Sequence, residues 1–211
     1  MDNFWFSDNQ INTYIDNHQI ILQNPNLLTF IKSYIIQIMQ KNNCRDIEEI
    51  WPTINIIDSK YIASIVIIDN CHWVLYFNNK KEAFFIDPLK SVNTFTEVKF
   101  IKQCNLVHQI IQNYNKKHGL QTQKVQTFRK LRQFQNNDYD CGPLSCGYLI
   151  NLIQEMNLLT IDIKNIREWV WKNAYEEDLA RIHGGTPVPI VSISSAPKNG
   201  RTIRANLATG S

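Results

Sequence analysis

Three stretches of this sequence carry residue types that could act together in nucleophilic chemistry. They are His72-Trp73 at the start of a predicted strand, Asp87-Pro88 at the end of the next, and Gln135 through Cys141 ahead of a buried helix. A thiol nucleophile needs a base within hydrogen-bond reach, and the base needs a third group that fixes its tautomer. A hairpin around a turn at 78–81 would place His72 and Asp87 at the same end of paired strands. The sequence thus predicts that Asp87 holds His72 as a base.

Cys141 is the candidate nucleophile. The pattern predicts that it lies in the first turn of a helix, where unpaired N–H groups and the helix dipole favour thiolate over thiol. Gly142 removes side-chain bulk beside the sulfur. The backbone N–H of Cys141 and the side-chain amide of Gln135 could hold the oxyanion of an acyl transition state. Together these parts predict a thiol acyl-transfer site with an activated sulfur.

The elements that would position these residues follow from the spacing of apolar residues. Helical spacing predicts helices after Ser7, from Asn24-Pro25 onward, over about 93–119, from near Cys141 to Met156, and over about 162–179. β-branched and aromatic runs predict strands at 54–57, 61–68, 72–77 and 82–86, with a weaker one at 124–131. This order predicts an α+β fold in which a central mixed sheet is flanked by helices.

Length and composition limit the class of protein. The chain has 211 residues, of which 44% are hydrophobic, which is enough for one substantial core. We predict one folded domain over residues 1–182 and a flexible extension over 183–211, because the Ser-, Pro- and Gly-rich tail cannot bury enough apolar surface to fold alone. The formal net charge of +3 is too small to argue for nucleic acid as a partner.

No apolar run is long enough to cross a membrane, and the N-terminus lacks the pattern of a signal peptide, so we expect a soluble cytoplasmic protein that binds no membrane. Five cysteines without a CxxC pair argue against both a disulfide scaffold and a structural zinc site. We expect Cys71 and Cys146 to be core residues, no metal and no cofactor. The basic run of Arg129, Lys130 and Arg132 is interpreted as a solvated strand face.

The order of these motifs resembles the ubiquitin-like-specific proteases, the Ulp/SENP group of the clan CE cysteine proteases. Trp5, Asp8 and Ile11 are similar to that family's W-x-x-D-x-x-I element, and they are followed by His72-Trp73, by Asp87, and by the Q-x5-C-G spacing from Gln135 to Gly142. The resemblance spans residues 5 to about 150 and implies a papain-like clan CE fold. It implies that Cys141 is the nucleophile, His72 the general base, Asp87 its orienting acid and Gln135 the oxyanion donor.

The resemblance also implies a substrate. Trp5 and Trp73 would close over a narrow tunnel that admits the di-glycine tail of ubiquitin or a ubiquitin-like modifier such as SUMO or NEDD8, and Asp8 would contact the modifier nearby. The expected activity is that of a cysteine isopeptidase or processing protease, acting as a monomer without a cofactor. Which modifier is cleaved stays open.

Two alternatives remain. Bacterial effectors of the same clan include acetyltransferases that act through an acetyl-cysteine, although these usually have Glu as the acid and lack the His-Trp pair, so Asp87 and Trp73 favour the protease. The chain could also be an inert module that binds a modifier without turnover. If it is a bacterial effector, we expect it in a host cytoplasm.

Overall fold

The structure is a computed structural model that describes residues 5–68, 71–89, 97–121, 125–127 and 133–175. The boundary predicted between residues 182 and 183 and the basic run at 129–132 lie outside the described residues. The helices are α1 (Asp8–Asp16), α2 (Gln19–Leu22), α3 (Ser33–Lys41), α4 (Glu97–Lys117), α5 (Cys141–Ile153) and α6 (Ile163–Val170). The strands are β1 (Leu28–Phe30), β2 (Tyr61–Ile68), β3 (His72–Asn78), β4 (Ala83–Ile86) and β5 (Val125–Thr127).

The five strands form one mixed sheet in the order β1-β2-β3-β4-β5. The middle three strands are antiparallel neighbours, whereas β1 runs parallel to β2 and β5 runs parallel to β4. The predicted α+β fold with a central mixed sheet is therefore confirmed.

Both faces of the sheet are buried, and alternate residues of a strand belong to opposite layers. Ala63 and Ile65 pack toward the layer that contains α1, α5 and α6. Ile62 and Val66 pack toward the layer that contains α3 and α4. Because β2 is covered on both sides, nearly every residue along it is apolar.

Helix α1 has a complete capping box at its N-terminus. The Ser7 hydroxyl accepts a hydrogen bond from the backbone N–H of Gln10, and the Gln10 side chain accepts one from the backbone N–H of Ser7. This reciprocal pair fixes the direction in which the chain enters the helix. It thereby places Phe6, which is 3% exposed, against the layer that contains α5.

Three of the predicted elements are wrong. The segment after Asn24-Pro25 does not begin a helix: residues 28–30 form β1, which pairs with residues 61–63, and α3 begins only at Ser33. Residues 54–57 form no strand and belong to none of the five described strands. Helix α5 ends at Ile153, so Met156 lies beyond it and is 55% exposed.

The cysteine predictions have mixed outcomes. Cys146 is buried in the core, as predicted, whereas Cys71 is exposed, so its assignment to the core is wrong. Cys71 lies in the short turn that precedes β3, where the chain is at the surface before it enters the sheet. None of the helices described here is long and apolar enough to span a bilayer.

Candidate active site

His72 and Asp87 form a close pair at one end of the sheet. His72 is the first residue of β3, and Asp87 directly follows β4, the antiparallel neighbour of β3. The distance between His72 Nε2 and Asp87 Oδ1 is 2.7 Å. The same carboxylate oxygen accepts a hydrogen bond from the backbone N–H of Leu89 at 2.8 Å. The predicted juxtaposition of His72 and Asp87 is thus confirmed, and the second bond fixes the carboxylate.

Cys141 lies beside the same end of β3. It is the first residue of α5, and its sulfur accepts a hydrogen bond from the backbone N–H of Trp73, the neighbour of His72. One turn further along α5, the Ser145 hydroxyl donates to the Trp73 carbonyl oxygen at 3.3 Å. These two contacts hold the start of α5 across the start of β3. The thiol therefore lies at the same end of the sheet as the His72–Asp87 pair.

The protonation state of Cys141 differs from the sequence-based expectation. Burial raises the pKa of its thiol to about 11, because the side chain is fully enclosed and a thiolate would lose its hydration. The N–H groups of Trp73, Gly142 and Cys141 lower this pKa in part, and the Asp87 carboxylate raises it further. The N–H groups at the helix N-terminus thus act in the expected direction, but burial outweighs them. The sulfur holds its proton at neutral pH.

Gln135 is anchored at the same end of the sheet. Its backbone N–H donates to the carbonyl oxygen of Pro88 at 3.0 Å, next to Asp87. Its side-chain Nε2 donates to the carbonyl oxygen of Asn137 at 2.7 Å. The side-chain amide has two N–H groups. The bond to Asn137 uses one of them and orients the amide, so the second N–H can donate to another acceptor. Gln135 thus lies in the segment that leads into α5, and this segment is hydrogen-bonded to the chain just after Asp87.

The two tryptophans have very different environments. Trp5 is 45% exposed, whereas Trp73 is 2% exposed and its indole Nε1 donates to the Phe6 carbonyl oxygen at 2.9 Å. A Cβ atom on Gly142 would lie 2.8 Å from Phe6 Cβ and 3.3 Å from Trp73 Cδ1. The absence of a side chain at Gly142 is therefore what lets Phe6 and Trp73 close over the start of α5. Asp8 is half-buried in the first turn of α1.

Two residues at the site were not predicted from sequence. Phe6 contributes its carbonyl oxygen to Trp73, and Arg167 of α6 contacts Asp140, which directly precedes Cys141. A phenylalanine next to Trp5 gives no signal of this kind. The only available signal for Arg167 was an arginine on a helix with an apolar face, and such residues are usually solvated. Among the described residues, no group of three or more His, Cys, Asp or Glu side chains could hold a metal ion.

The comparisons with known proteins agree with this geometry. Residues 4–182 match the Ulp1 protease family, C-terminal catalytic domain. No curated protein sequence matches the chain. A solved structure of the C-terminal Ulp1 protease domain in complex with Smt3, the yeast ortholog of SUMO, is 16% identical, with a TM-score of 0.64 over 80% of this chain and 75% of that one.

Two further structures are similar. The Xanthomonas campestris effector XopD, bound to ubiquitin, is 15% identical, with a TM-score of 0.57 over 82% of this chain and 92% of that one. The Ulp1-like SUMO protease catalytic domain of Chaetomium thermophilum is 16% identical, with a TM-score of 0.57 over 78% of this chain and 70% of that one. At these identities the structures show the fold.

An α+β domain with a cysteine at a helix N-terminus beside a paired histidine and aspartate has the architecture of a papain-like cysteine peptidase. The chain belongs to the Ulp1 protease family.

Proposed function

We propose that this protein is an isopeptidase or processing protease that cuts after the C-terminal glycine of ubiquitin or a ubiquitin-like modifier. The observation that carries the proposal is the 2.7 Å contact between His72 and Asp87 beside the sulfur of Cys141. The family match supports the reaction class. The relatives with Smt3 and with ubiquitin bound support the substrate class.

In the proposed reaction, His72 takes the thiol proton as the sulfur of Cys141 attacks the carbonyl carbon of the terminal glycine. Because Nε2 of His72 contacts Asp87, the proton exchange falls to Nδ1. Charge then develops on the carbonyl oxygen, which the Cys141 N–H and the Gln135 amide would stabilise. The imidazolium returns its proton to the leaving lysine amine. A water molecule activated by His72 then hydrolyses the thioester and restores the thiol.

A raised thiol pKa fits this order of steps. A sulfur that holds its proton in the closed site needs a base at the moment of attack, and His72, the residue before Trp73, would be that base. The neighbouring Asp87 would stabilise the imidazolium that forms. The nucleophile is thereby generated only when substrate is in place.

The enclosure of Cys141 also supports a tail without side chains as the substrate. Cys141 and Trp73 have almost no exposed surface, so only a thin segment could reach the sulfur, and the exposed indole of Trp5 would line its path. Two consecutive glycines make the narrowest possible polypeptide segment. Asp8, one turn from Trp5, would contact the body of the modifier.

The experiment uses the full chain with ubiquitin, SUMO and NEDD8, each carrying a C-terminal fluorophore. We expect the wild-type protein to cleave at least one substrate and Cys141→Ala to lose about a thousandfold or more of that activity. Cys44→Ser is the matched control, because Cys44 is on the opposite side of the sheet, and it should retain activity. Cleavage undiminished in Cys141→Ala, or no cleavage of any modifier by the wild type, would overturn the proposal.

A second assay separates the acetyltransferase alternative. The protein is incubated with acetyl-coenzyme A and with a modifier that carries a C-terminal propargyl group. We expect the modifier to form an adduct at Cys141, detected by mass spectrometry. Acetylation of the protein without such an adduct would contradict the protease.

A further inference from the structure

A buried ion pair involves Asp140, the residue directly before the nucleophile in the chain. Both Nε and Nη2 of Arg167, on α6, donate to Oδ1 of Asp140, at 2.9 and 2.7 Å. Arg167 Nη2 also donates to the carbonyl oxygen of Tyr139 at 2.9 Å. The two charged side chains are 9% and 12% exposed. Arg167 therefore holds both the side chain and the backbone of the segment that enters α5.

The pair continues into the loop that carries Gln135. The second oxygen of Asp140 accepts a hydrogen bond from Asn137 Nδ2 at 2.7 Å, and Asn137 Oδ1 accepts from the backbone N–H groups of Tyr139 and Asp140 at 3.0 and 2.9 Å. The carbonyl oxygen of Asn137 accepts from Gln135 Nε2. A continuous chain of hydrogen bonds thus joins Arg167 to the amide of Gln135.

Because Asp140 pairs with Arg167, its side chain does not cap α5. It is the N-cap residue of α5, where an aspartate side chain ordinarily accepts from N–H groups of the first turn. Its side chain makes no such bond. The carboxylate turns to Arg167, and the N–H groups at the start of α5 stay available beside Cys141.

Arg167 also compensates a charge that would otherwise disfavour reaction. A buried carboxylate one residue from the sulfur opposes formation of a thiolate unless a cation offsets it. The guanidinium also lies 5.6 Å from the ring centroid of Phe6 and 5.1 Å from that of Tyr139. It therefore contacts the segment that closes over the site as well as the loop before the nucleophile.

We propose that Arg167 is a positioning residue, which fixes Cys141 and the Gln135 amide in reactive geometry through Asp140 and Asn137. The inference rests on the proposed function for the roles of Cys141 and Gln135. Arg167 itself would touch neither the substrate nor the sulfur. Its loss should therefore lower kcat and leave KM nearly unchanged, since no modifier contact is removed.

The test compares Arg167→Gln, Arg167→Lys, Asp140→Asn and the double variant Asp140→Asn/Arg167→Gln in the full chain. Modifier-fluorophore turnover gives kcat and KM, and mass spectrometry gives the rate at which iodoacetamide alkylates Cys141. We expect Arg167→Gln to lower kcat about 10- to 100-fold and to slow alkylation at neutral pH. Arg167→Lys should recover part of kcat because it restores the charge without the planar fork. The double variant should have a higher kcat than Arg167→Gln, because it no longer buries an unpaired carboxylate.

Removing one partner of a buried ion pair also destabilises a fold, so the control must separate the two effects. Ile166→Ala is matched for this purpose: Ile166 is the buried neighbour of Arg167 on α6 and packs toward Gly147 of α5 rather than toward Asp140. All variants are measured well below the lowest melting temperature, where Ile166→Ala should keep wild-type kcat.

Two results would overturn the positioning role. One is a kcat for Arg167→Gln equal to that of Ile166→Ala, and the other is a change confined to KM. The alkylation rate needs no modifier. If the wild type cleaves no modifier, the proposed function fails, and slower alkylation of Cys141 in Arg167→Gln still decides the role of Arg167.

Discussion

The indole of Trp73 donates its N–H to the carbonyl oxygen of Phe6 at 2.9 Å, across 67 positions of sequence. Both groups are buried, and the contact joins the segment before α1 to the first residues of β3. Because His72 precedes Trp73 and Cys141 accepts from the Trp73 backbone, this bond ties the N-terminal segment to the proposed reaction centre.

Replacing Trp73 by phenylalanine should therefore cost stability. The Phe6 carbonyl oxygen would stay buried without its donor, so we expect the free energy of unfolding to fall by about 1–3 kcal/mol. Urea denaturation measures the change. Trp51→Phe is the control, because Trp51 is half-buried against the other face of the sheet, and it should cost less. Equal losses in the two variants would show that the bond to Phe6 contributes little.

Gly142→Ala should impair turnover as well as stability. The new Cβ would lie 2.8 Å from Phe6 Cβ, which is too close, so the Phe6 segment or α5 must shift. We expect kcat to fall about tenfold or more. Gly147→Ala, on the same helix, meets Ile161 Cγ2 at 2.2 Å, away from the nucleophile. It should destabilise the fold at least as much and leave kcat near the wild-type value where the protein is folded. A wild-type kcat in Gly142→Ala together with a lowered kcat in Gly147→Ala would contradict the assignment of the site.

Asp87→Asn should slow turnover strongly. The substitution keeps the shape of the side chain but removes the charge that would stabilise the His72 imidazolium, and we expect a loss of about 10²- to 10⁴-fold in kcat. Steady-state cleavage of the preferred modifier substrate measures the loss. Glu82→Gln, at the exposed far end of β4, should be neutral. A wild-type rate in Asp87→Asn would remove the aspartate from the mechanism.

The stability of the fold should fall at alkaline pH in part because of Cys141. Burial raises the pKa of this thiol from 9.0 to about 11 in the folded state, so the folded protein binds the proton more tightly than the unfolded chain does. The associated stability is present below pH 9 and is lost as the pH rises toward 11. Two pKa units correspond to about 2 to 3 kcal/mol at most.

The measurement compares urea denaturation of the wild type and Cys141→Ala between pH 8 and pH 11. Tyr14, Tyr76 and Cys146 also have raised pKa values and titrate in both proteins, so the difference between the curves isolates Cys141. The variant should lose less stability across this range. Parallel curves would mean that the thiol has the same pKa in the folded and the unfolded protein, so that burial does not raise it.

Sequence reasoning predicted the parts of the site that depend on local pattern. A hairpin joins β3 to β4, so the positions of His72 and Asp87 follow from alternation and a short turn. The start of α5 at Cys141 follows from the apolar residues spaced along that helix.

What could not be predicted depends on partners far apart in the chain. Leu28 pairs with Tyr61 in a parallel register, and three residues are too few to show β periodicity inside a helix-like apolar run. Ile54 and Ile56 are buried, which explains their apolar character, but they belong to none of the five described strands. Asp140 pairs with Arg167 across 27 positions, and side-chain ion pairs of that separation have no sequence pattern. The raised pKa of Cys141 depends on enclosure by the whole fold.

The enclosure of Cys141 also changes what a covalent inhibitor must achieve. A small electrophile in solution meets the exposed thiol of Cys71 first, whereas the sulfur at the start of α5 is enclosed beside Phe6 and Trp73. The rate of inactivation would then depend on access to this sulfur as well as on the reactivity of the warhead. A covalent inhibitor of Cys141 would therefore need a narrow linker between its binding group and its electrophile, because a bulky linker would not reach the enclosed sulfur.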